Sequence, residues 1–480
     1  MKVTVTPSAI RGEISAIGSK SAAHRALLAA ALVGNVPCLL SGVTLSEDVL
    51  ATIDCLAALG AKVEKTGKGL LVFPIEKSRL PQTAVLRVRE SGSTYRFFLP
   101  VVAALGVEAE FIGSDRLFAR PSGALFSALM RCGVTVSDGG RKISGNMTLP
   151  DIPGVSVRRR SDGNDEGKTG DSDRRKTGRI EIDASESSQY VTGQLFALAV
   201  LGGGRLKLTG KRVSTGYIDL TVQILRDFGV DIAETQEGYT VGAHNSYMTP
   251  RGAAGEQNVV KTGAASGQNF LAPKESGQNF DTPQTYAVEG DWSNAAFFLA
   301  AGALSGDVTV KNLRLNSLQK DRAIVEILRR AGAEVAVSEN AVRVKKSRLS
   351  AFCADAEEIP DAVPILSVLA AFAAGESVIS GVSRLKGKES DRLSGVIAML
   401  RLAGISAATD GAVLRVTGGQ PQGNVFLAEN DHRMAMSQAV LGSAAAGRTV
   451  IAGAECVKKS YPAFFEDFAL LGCNVKKTDE

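Results

Sequence analysis

"CLAALGAKV", Cys55 to Val63, reads as the last turn of a helix, a glycine that stops it and the start of a short strand. Glycine in that place suits the left-handed residue that ends a helix. The pattern returns as "ALMRCGVTV", "ILRDFGVDI", "ILRRAGAEV", "MLRLAGISA" and "DFALLGCNV", with stop glycines at Gly60, Gly133, Gly229, Gly332, Gly404 and Gly472. A second glycine-led strand precedes each copy by about 25 to 30 residues, led by Gly34, Gly106, Gly203, Gly306, Gly375 and Gly447. Six structural units follow.

The stop glycines lie 73, 96, 103, 72 and 68 residues apart, so two units carry insertions of about 25 to 30 residues. One is "VRRRSDGNDEGKTGDSDRRKTGR", near 157–179; the other spans about 250–284 and contains "SGQNF" twice. Both are too poor in large apolar side chains to offset the entropy of ordering, which predicts exposed loops, with ordered lids as the alternative. A period near 70 exceeds that of the usual solenoids and fits a βαβαββ module. The segments 22–33, 295–304 and 363–375 are apolar nearly all round, the mark of interior helices. The expected architecture is therefore α/β: helices inside, strands outside, two lobes of three units each, and a ligand in the cleft between them.

A chain of 480 residues with 44% hydrophobic composition can bury large cores. Lysine and arginine number 55 against 50 acidic residues, and aromatics are only 5%, which argues against nucleic acid and allows a small acidic ligand. No apolar run approaches about 18 residues and the first twenty residues lack leader character, so no membrane association and a cytoplasmic location are expected. The six cysteines are widely spaced with no C-x-x-C pair, and are read as small buried apolar residues rather than disulfides or zinc ligands.

Polar residues interrupt the units at predicted helix starts. "GSKSAAHR" sets Lys20, Ser21 and Arg25 at the head of a buried helix, where free backbone donors favour an anion. "ESGSTYRFF" contains Gly92 and Arg96, and "FARPSG" presents Arg120. "SSQYVTGQL" clusters Ser187, Ser188 and Gln189 where one cap would suffice, and "RVSTGYID" adds Ser214 and Tyr217. Further on, "EEIPDAVPILSVLAA" brings Asp361 to the start of an apolar helix, and "LKGKESDRL" packs Lys386, Lys388, Glu389, Asp391 and Arg392 together. "ENDHRMAM" places His432, one of three histidines, between Asp431 and Arg433; "CVKKSYPAFFEDF" adds Lys458 and Lys459. Taken singly, each is also consistent with an ordinary cap or a solvated charged face. Together they supply cations suited to phosphate and carboxylate groups, with carboxylates among them. No P-loop, dinucleotide fingerprint or metal-ligand spacing is present.

"GSKSAAHRALL", "RPSG", "SSQ", "VSTGYID", "VEGDWSNAAFFLAA", "IPDA", "KESDRL", "NDHRMAM" and "KKSYPAFFEDF", in this order, resemble the EPSP synthase (3-phosphoshikimate 1-carboxyvinyltransferase) family. The resemblance covers nearly the whole chain apart from the two insertions. It implies an inside-out α/β barrel of six βαβαββ units, with an N-terminal lobe of residues 19–287 and a C-terminal lobe of residues 1–18 and 288–480. It implies transfer of the enolpyruvyl group of phosphoenolpyruvate to the 5-hydroxyl of shikimate 3-phosphate, by a monomer needing neither metal nor organic cofactor. By motif, Lys20, Ser21, Arg25, Ser187, Ser188, Gln189, Ser214, Tyr217, Asp361 and Lys388 match the shikimate 3-phosphate contacts. Lys20, Gly92, Arg120, Gln189, Arg392, Arg433 and Lys459 match positions around phosphoenolpyruvate. Lys20, Asp361, Glu389 and His432 match catalytic positions, with Asp431 as a brace. Arg384 departs from the asparagine of some members, which puts one substrate contact in doubt. The alternatives are a UDP-N-acetylglucosamine enolpyruvyl transferase, an RNA 3'-phosphate cyclase relative, and a non-catalytic anion-binding protein.

Overall fold

The computed structural model describes residues 1–151, 178–244 and 283–478. The two predicted exposed loops fall, but for their last few residues, outside the described residues. Among the described residues the strands form six four-stranded sheets, each with one parallel pair followed by two antiparallel pairings.

The sheet of residues 83–144 is representative. Strand Thr83–Arg89 leads through helix Gly92–Leu105 to its parallel neighbour Glu108–Gly113. Helix Gly123–Arg131 then leads to Thr135–Ser137, which returns antiparallel to Lys142–Ser144. Gly133 makes the turn between that helix and its strand with φ 81, and the five other stop glycines are also left-handed, between φ 77 and φ 95. A β-carbon in that conformation is disfavoured, which explains why the repeat is written around glycine.

Two sheets take their parallel strand from a distant part of the chain. Gln284–Ala287 pairs with Cys38–Ser41, and Ile10–Ser15 pairs with Gly306–Lys311. Lys2–Thr6 lies between Thr449–Ala452 and Asn474–Thr478. Apolar side chains gather in two separate cores, one drawn from residues 22–288, the other from residues 3–16 and 292–473. The chain passes between them where Gly18 bridges Gly290. A β-carbon on Gly18 would sit 1.8 Å from the Gly42 carbonyl oxygen, and one on Gly290 would sit 1.9 Å from that of Asn312. Only glycine lets each passage run this close to the carbonyl beside it.

The apolar helices are interior. Helix Trp292–Ser305 is buried at every residue, Lys20–Leu32 from Ala22 onward and Val363–Phe372 as far as Ala371. Burial on all sides is what a uniformly apolar surface demands. No described helix is long and apolar enough to cross a membrane. The expectation that the cysteines are buried fails at Cys353. All six are free, but Cys353 is exposed because Cys353–Asp355 is a sheet-edge strand that turns it outward.

Candidate active site

The buried helices bring their first turns to one cavity of about 380 Å³, where unpaired N–H groups and the helix dipoles favour negative charge. Its wall carries eight basic side chains (Lys20, Arg25, Arg96, Arg120, Arg384, Lys388, Arg392, Arg433) against five carboxylates (Asp48, Glu186, Asp291, Asp361, Glu389). Of the residues singled out by sequence, Ser21, Gly92, Ser187, Ser188, Gln189, Ser214, Tyr217 and His432 also line it. Lys459 does not. Its ammonium is drawn away by the Asn430 carbonyl oxygen at 2.6 Å and by an ion pair with Glu90.

Lys20 opens its helix, with Ser19 as the cap, and its Nζ pairs with Asp48 Oδ2 at 2.7 Å. Burial works against charge on Lys20, but Asp48 and Glu389 outweigh it and raise its pKa. Arg25 is 2% exposed. Its guanidinium donates to Thr221, Thr192 and the carbonyls of Ser21 and Tyr217, with no carboxylate partner among the described residues. Burial lowers its pKa to about 10. Hydroxyls and carbonyls satisfy its donors but leave its charge unbalanced, an arrangement that an incoming anion relieves.

On the adjoining wall Arg96 donates to Gln189 Oε1 at 2.7 Å and to the Pro121 carbonyl at 2.8 Å, while Gln189 Nε2 donates to Ser93 Oγ. The Nε atoms of Arg96, Arg120 and Arg433 are buried without hydrogen-bond partners among the described residues. Arg433 Nη1 donates to the Ser293 carbonyl at 2.9 Å.

Arg392, 2% exposed, sits among three carboxylates. Its Nε is 2.7 Å from Asp431 Oδ2, its Nη1 2.6 Å from Asp361 Oδ1 and its Nη2 3.6 Å from Glu389 Oε2. Asp431 is fully buried and also accepts from Ser390 Oγ and from the Arg433 backbone N–H, so that it ties Arg392 to the start of its own helix. Burial would raise the Asp361 pKa, but Lys388, Arg392 and Arg433 hold its carboxyl well below the usual range. Lys388 Nζ lies 3.2 Å from the same Oδ1. His432 Nδ1 lies 2.8 Å from Glu389 Oε2, yet neither ring nitrogen has hydrogen-bond geometry to a partner. Burial, Lys20 and Arg433 keep the imidazole below its ordinary pKa despite Glu389. Glu389 is held low against burial by His432, Arg392 and Lys20.

Glu389, Asp431 and His432 could together face a metal ion. The Arg392 guanidinium already occupies the charge between Asp431 and Glu389, so this group is an ion-pair network.

Sequence reading missed Asp48, Asp291, Ser293 and Asp321. Asp291 carries the most structure: its Oδ1 caps its own helix at Asn294 N (2.7 Å), and its Oδ2 accepts from Lys20 N (3.0 Å). Aspartate ahead of the apolar run "WSNAAFFLAA" signals the first role; nothing local signals the second, 271 residues away. Asp321, 1% exposed, accepts from Tyr217 Oη at 2.9 Å and Ser293 Oγ at 3.0 Å. Arg384 lines the cavity, with Nη1 and Nη2 each 3.2 Å from Ser214 Oγ and Nη2 also bonded to the Glu357 carbonyl.

Comparison with known proteins agrees with this arrangement. Residues 5–252 and 264–468 match the family model of EPSP synthase (3-phosphoshikimate 1-carboxyvinyltransferase). A 3-phosphoshikimate 1-carboxyvinyltransferase of Aeropyrum pernix is 35% identical, over 99% of this chain and 96% of the relative. One of Clostridium beijerinckii is 31% identical, over 98% and 97%. Among solved structures, EPSP synthase from Acinetobacter baumannii superposes with a TM-score of 0.70 at 21% identity, over 99% of this chain and all of that one. The enolpyruvyl transferase NikO from Streptomyces tendae superposes at 0.68 and 18% identity, over 99% and 98%. These last two show the α/β fold. The chain belongs to the EPSP synthase (3-phosphoshikimate 1-carboxyvinyltransferase) family.

Proposed function

We propose that this protein transfers the enolpyruvyl group of phosphoenolpyruvate to the 5-hydroxyl of shikimate 3-phosphate, releasing phosphate and 5-enolpyruvylshikimate 3-phosphate. The observation that carries the reading is the surplus of basic side chains on the cavity wall, with Arg25 lacking any carboxylate partner among the described residues. Two polyanionic substrates would balance that charge. Sequence relatives at 30–35% identity over nearly the whole chain carry the same activity in their names.

Ser21, Arg25, Ser187, Ser188, Gln189, Ser214, Tyr217 and Lys388 are assigned to shikimate 3-phosphate, and Lys20, Gly92, Gln189, Arg120 and Arg433 to phosphoenolpyruvate. Arg392 holds Asp361 and Glu389 in place from within the same wall, and Lys459 acts behind it through Asn430 and Glu90. In the addition step the 5-hydroxyl oxygen bonds to C2 of phosphoenolpyruvate. Its proton goes to Asp361, while C3 takes a proton from the Lys20 ammonium and becomes a methyl group. In the elimination step the C2–O bond to phosphate breaks, phosphate leaving with the proton that Asp361 took up, and Glu389 removes a proton from that methyl and returns it to Lys20, restoring the double bond. Asp361 is a weak base while Lys388, Arg392 and Arg433 surround it. Substrate anions bound to Lys388 and Arg433 would screen them and raise its proton affinity when it is needed. His432 directs one ring N–H toward the departing phosphate. Arg120 and Arg433 stabilise charge on the leaving group.

This reading carries the finer architecture with it: an inside-out barrel of six βαβαββ units in two lobes, residues 19–287 and residues 1–18 with 288–480. The two separate cores and the close passage at Gly18 and Gly290 support the division. We place a monomer of this enzyme in the cytoplasm, to which its free thiols are suited. The sister reaction on UDP-N-acetylglucosamine is disfavoured by Cys132, whose thiol burial pushes up to about 11, unlike a reactive thiolate.

The test is phosphate release on mixing the protein with phosphoenolpyruvate and either acceptor. Release with shikimate 3-phosphate alone, lost in Asp361→Ala, supports the reading. Release with the sugar nucleotide moves the chain to the sister activity, and silence with both leaves an anion-binding protein.

A further inference from the structure

Helix Thr215–Asp227 begins without a cap of its own. Ser214 precedes it in the left-handed conformation (φ 50, ψ 48), and its hydroxyl makes no capping bond. A residue other than glycine holds that conformation only when its surroundings impose it. The imposing contacts come from residues of the other core's part of the chain. Glu358 Oε2 accepts from both Thr215 N and Thr215 Oγ1 at 2.7 Å, satisfying one of the free N–H groups of the first turn as a capping side chain would. Arg384 grips Ser214 Oγ with two N–H groups, and Tyr217 Oη donates to Asp321. Packing is equally close: a β-carbon on Gly216 would lie 2.5 Å from Lys320 Cγ and 2.6 Å from the Leu318 carbonyl oxygen.

We infer that Glu358 is a positioning residue for the acceptor site, supplying from the opposite lobe the N-cap that sets Ser214 and Tyr217. The inference rests on the proposed assignment of those two residues to shikimate 3-phosphate. Its consequence is that the acceptor pocket is complete only when the lobes meet. Arg384 then replaces a neutral contact by a guanidinium that fixes the Ser214 hydroxyl. Glu358 itself is not among the residues that line the cavity. Its removal therefore acts on the acceptor and spares the phosphoenolpyruvate wall around Gly92, Arg120 and Arg433.

The test compares wild type, Glu358→Gln, Glu358→Ala and Thr215→Val. Calorimetric titration with shikimate 3-phosphate gives the acceptor Kd, steady-state phosphate release gives both KM values, and melting checks the fold. Glu358→Ala is expected to weaken shikimate 3-phosphate about tenfold, the size of a lost cap, with a smaller change in the KM for phosphoenolpyruvate. Glu358→Gln, which keeps an acceptor oxygen, should recover most of the loss, and Thr215→Val should shift the same constant less. Unchanged acceptor binding in Glu358→Ala overturns the inference, as do equal rises in both KM values or a glutamine variant as impaired as alanine. If Glu358→Ala fails to fold, Thr215→Val decides: an effect confined to the acceptor upholds the inference, and an effect shared by both substrates or absent rejects it. Wild type that fails to use shikimate 3-phosphate sinks the functional reading instead, before any variant is compared.

Discussion

Arg25 and Gly92 show how much single positions carry. Among the described residues the Arg25 guanidinium is buried without an opposite charge beside it, and its neighbours Thr192 and Thr221 also bond to each other at 2.8 Å. Arg25→Met should therefore fold with a melting temperature no lower than wild type, because an unbalanced buried charge is gone and the hydroxyls left behind keep partners. Shikimate 3-phosphate binding should fall by roughly tenfold or more, as for loss of a charged hydrogen bond; calorimetry and melting on one preparation check both. A β-carbon on Gly92 would lie 2.6 Å from Arg120 Nη1. That is the movable end of a side chain, so Gly92→Ala should fold normally while displacing the guanidinium. The KM for phosphoenolpyruvate should rise about tenfold or more with the acceptor KM little changed. "ESGSTYRFF" and "GSKSAAHR" announced both residues from sequence, but not that Gly92 and Arg120 touch.

At the scale of elements, the site is a meeting of helix starts, and caps decide whether those starts are ordered. Ser46 caps a single helix, Glu47–Ala58, by accepting from Val49 N. Asp291 serves two helices that belong to different cores. Ser46→Ala should cost about 1 kcal/mol, and Asp291→Ala about 2–3 kcal/mol because two helix ends lose an acceptor. Urea midpoints of the two variants check the ordering, and equal losses would show that the second bond of Asp291 contributes nothing. Sequence identified where the helices start because an N-cap is a local device. It could not identify a cap shared between helices, which depends on where the chain crosses between cores.

At the scale of the molecule, Asp321 joins the cores by accepting from Tyr217. Burial raises its pKa to about 6, with Asp361 adding to the shift and Arg433 and Tyr217 partly offsetting it. Because the folded state holds this proton more tightly than the unfolded chain, the stabilisation is complete below the ordinary value of 3.8 and is lost as pH rises through about 6. Two pH units correspond to about 3 kcal/mol at most. Asp321→Asn removes the effect, so its stability relative to wild type should rise between pH 4.5 and 7.5, by roughly 1–3 kcal/mol. Urea unfolding of both proteins at the two pH values checks it, and a constant difference would mean that Asp321 does not titrate in this range.

The six-fold repeat, the interior helices and the family were determined by the sequence alone, because stop glycines, uniformly apolar helices and capping motifs act within a few residues of themselves. Nearly every expected site residue reaches the cavity for the same reason: helix starts were legible, and the helix starts converge. Tertiary structure decided what each charge faces. Lys459 is drawn off the wall by Asn430 and Glu90, Arg392 is enclosed by three carboxylates, and Cys353 faces outward on an edge strand. Glu358 caps a helix that begins 143 residues earlier in the chain. Electrostatic and capping partners are chosen by distance in space, which a linear pattern encodes only where the partners are also close along the chain.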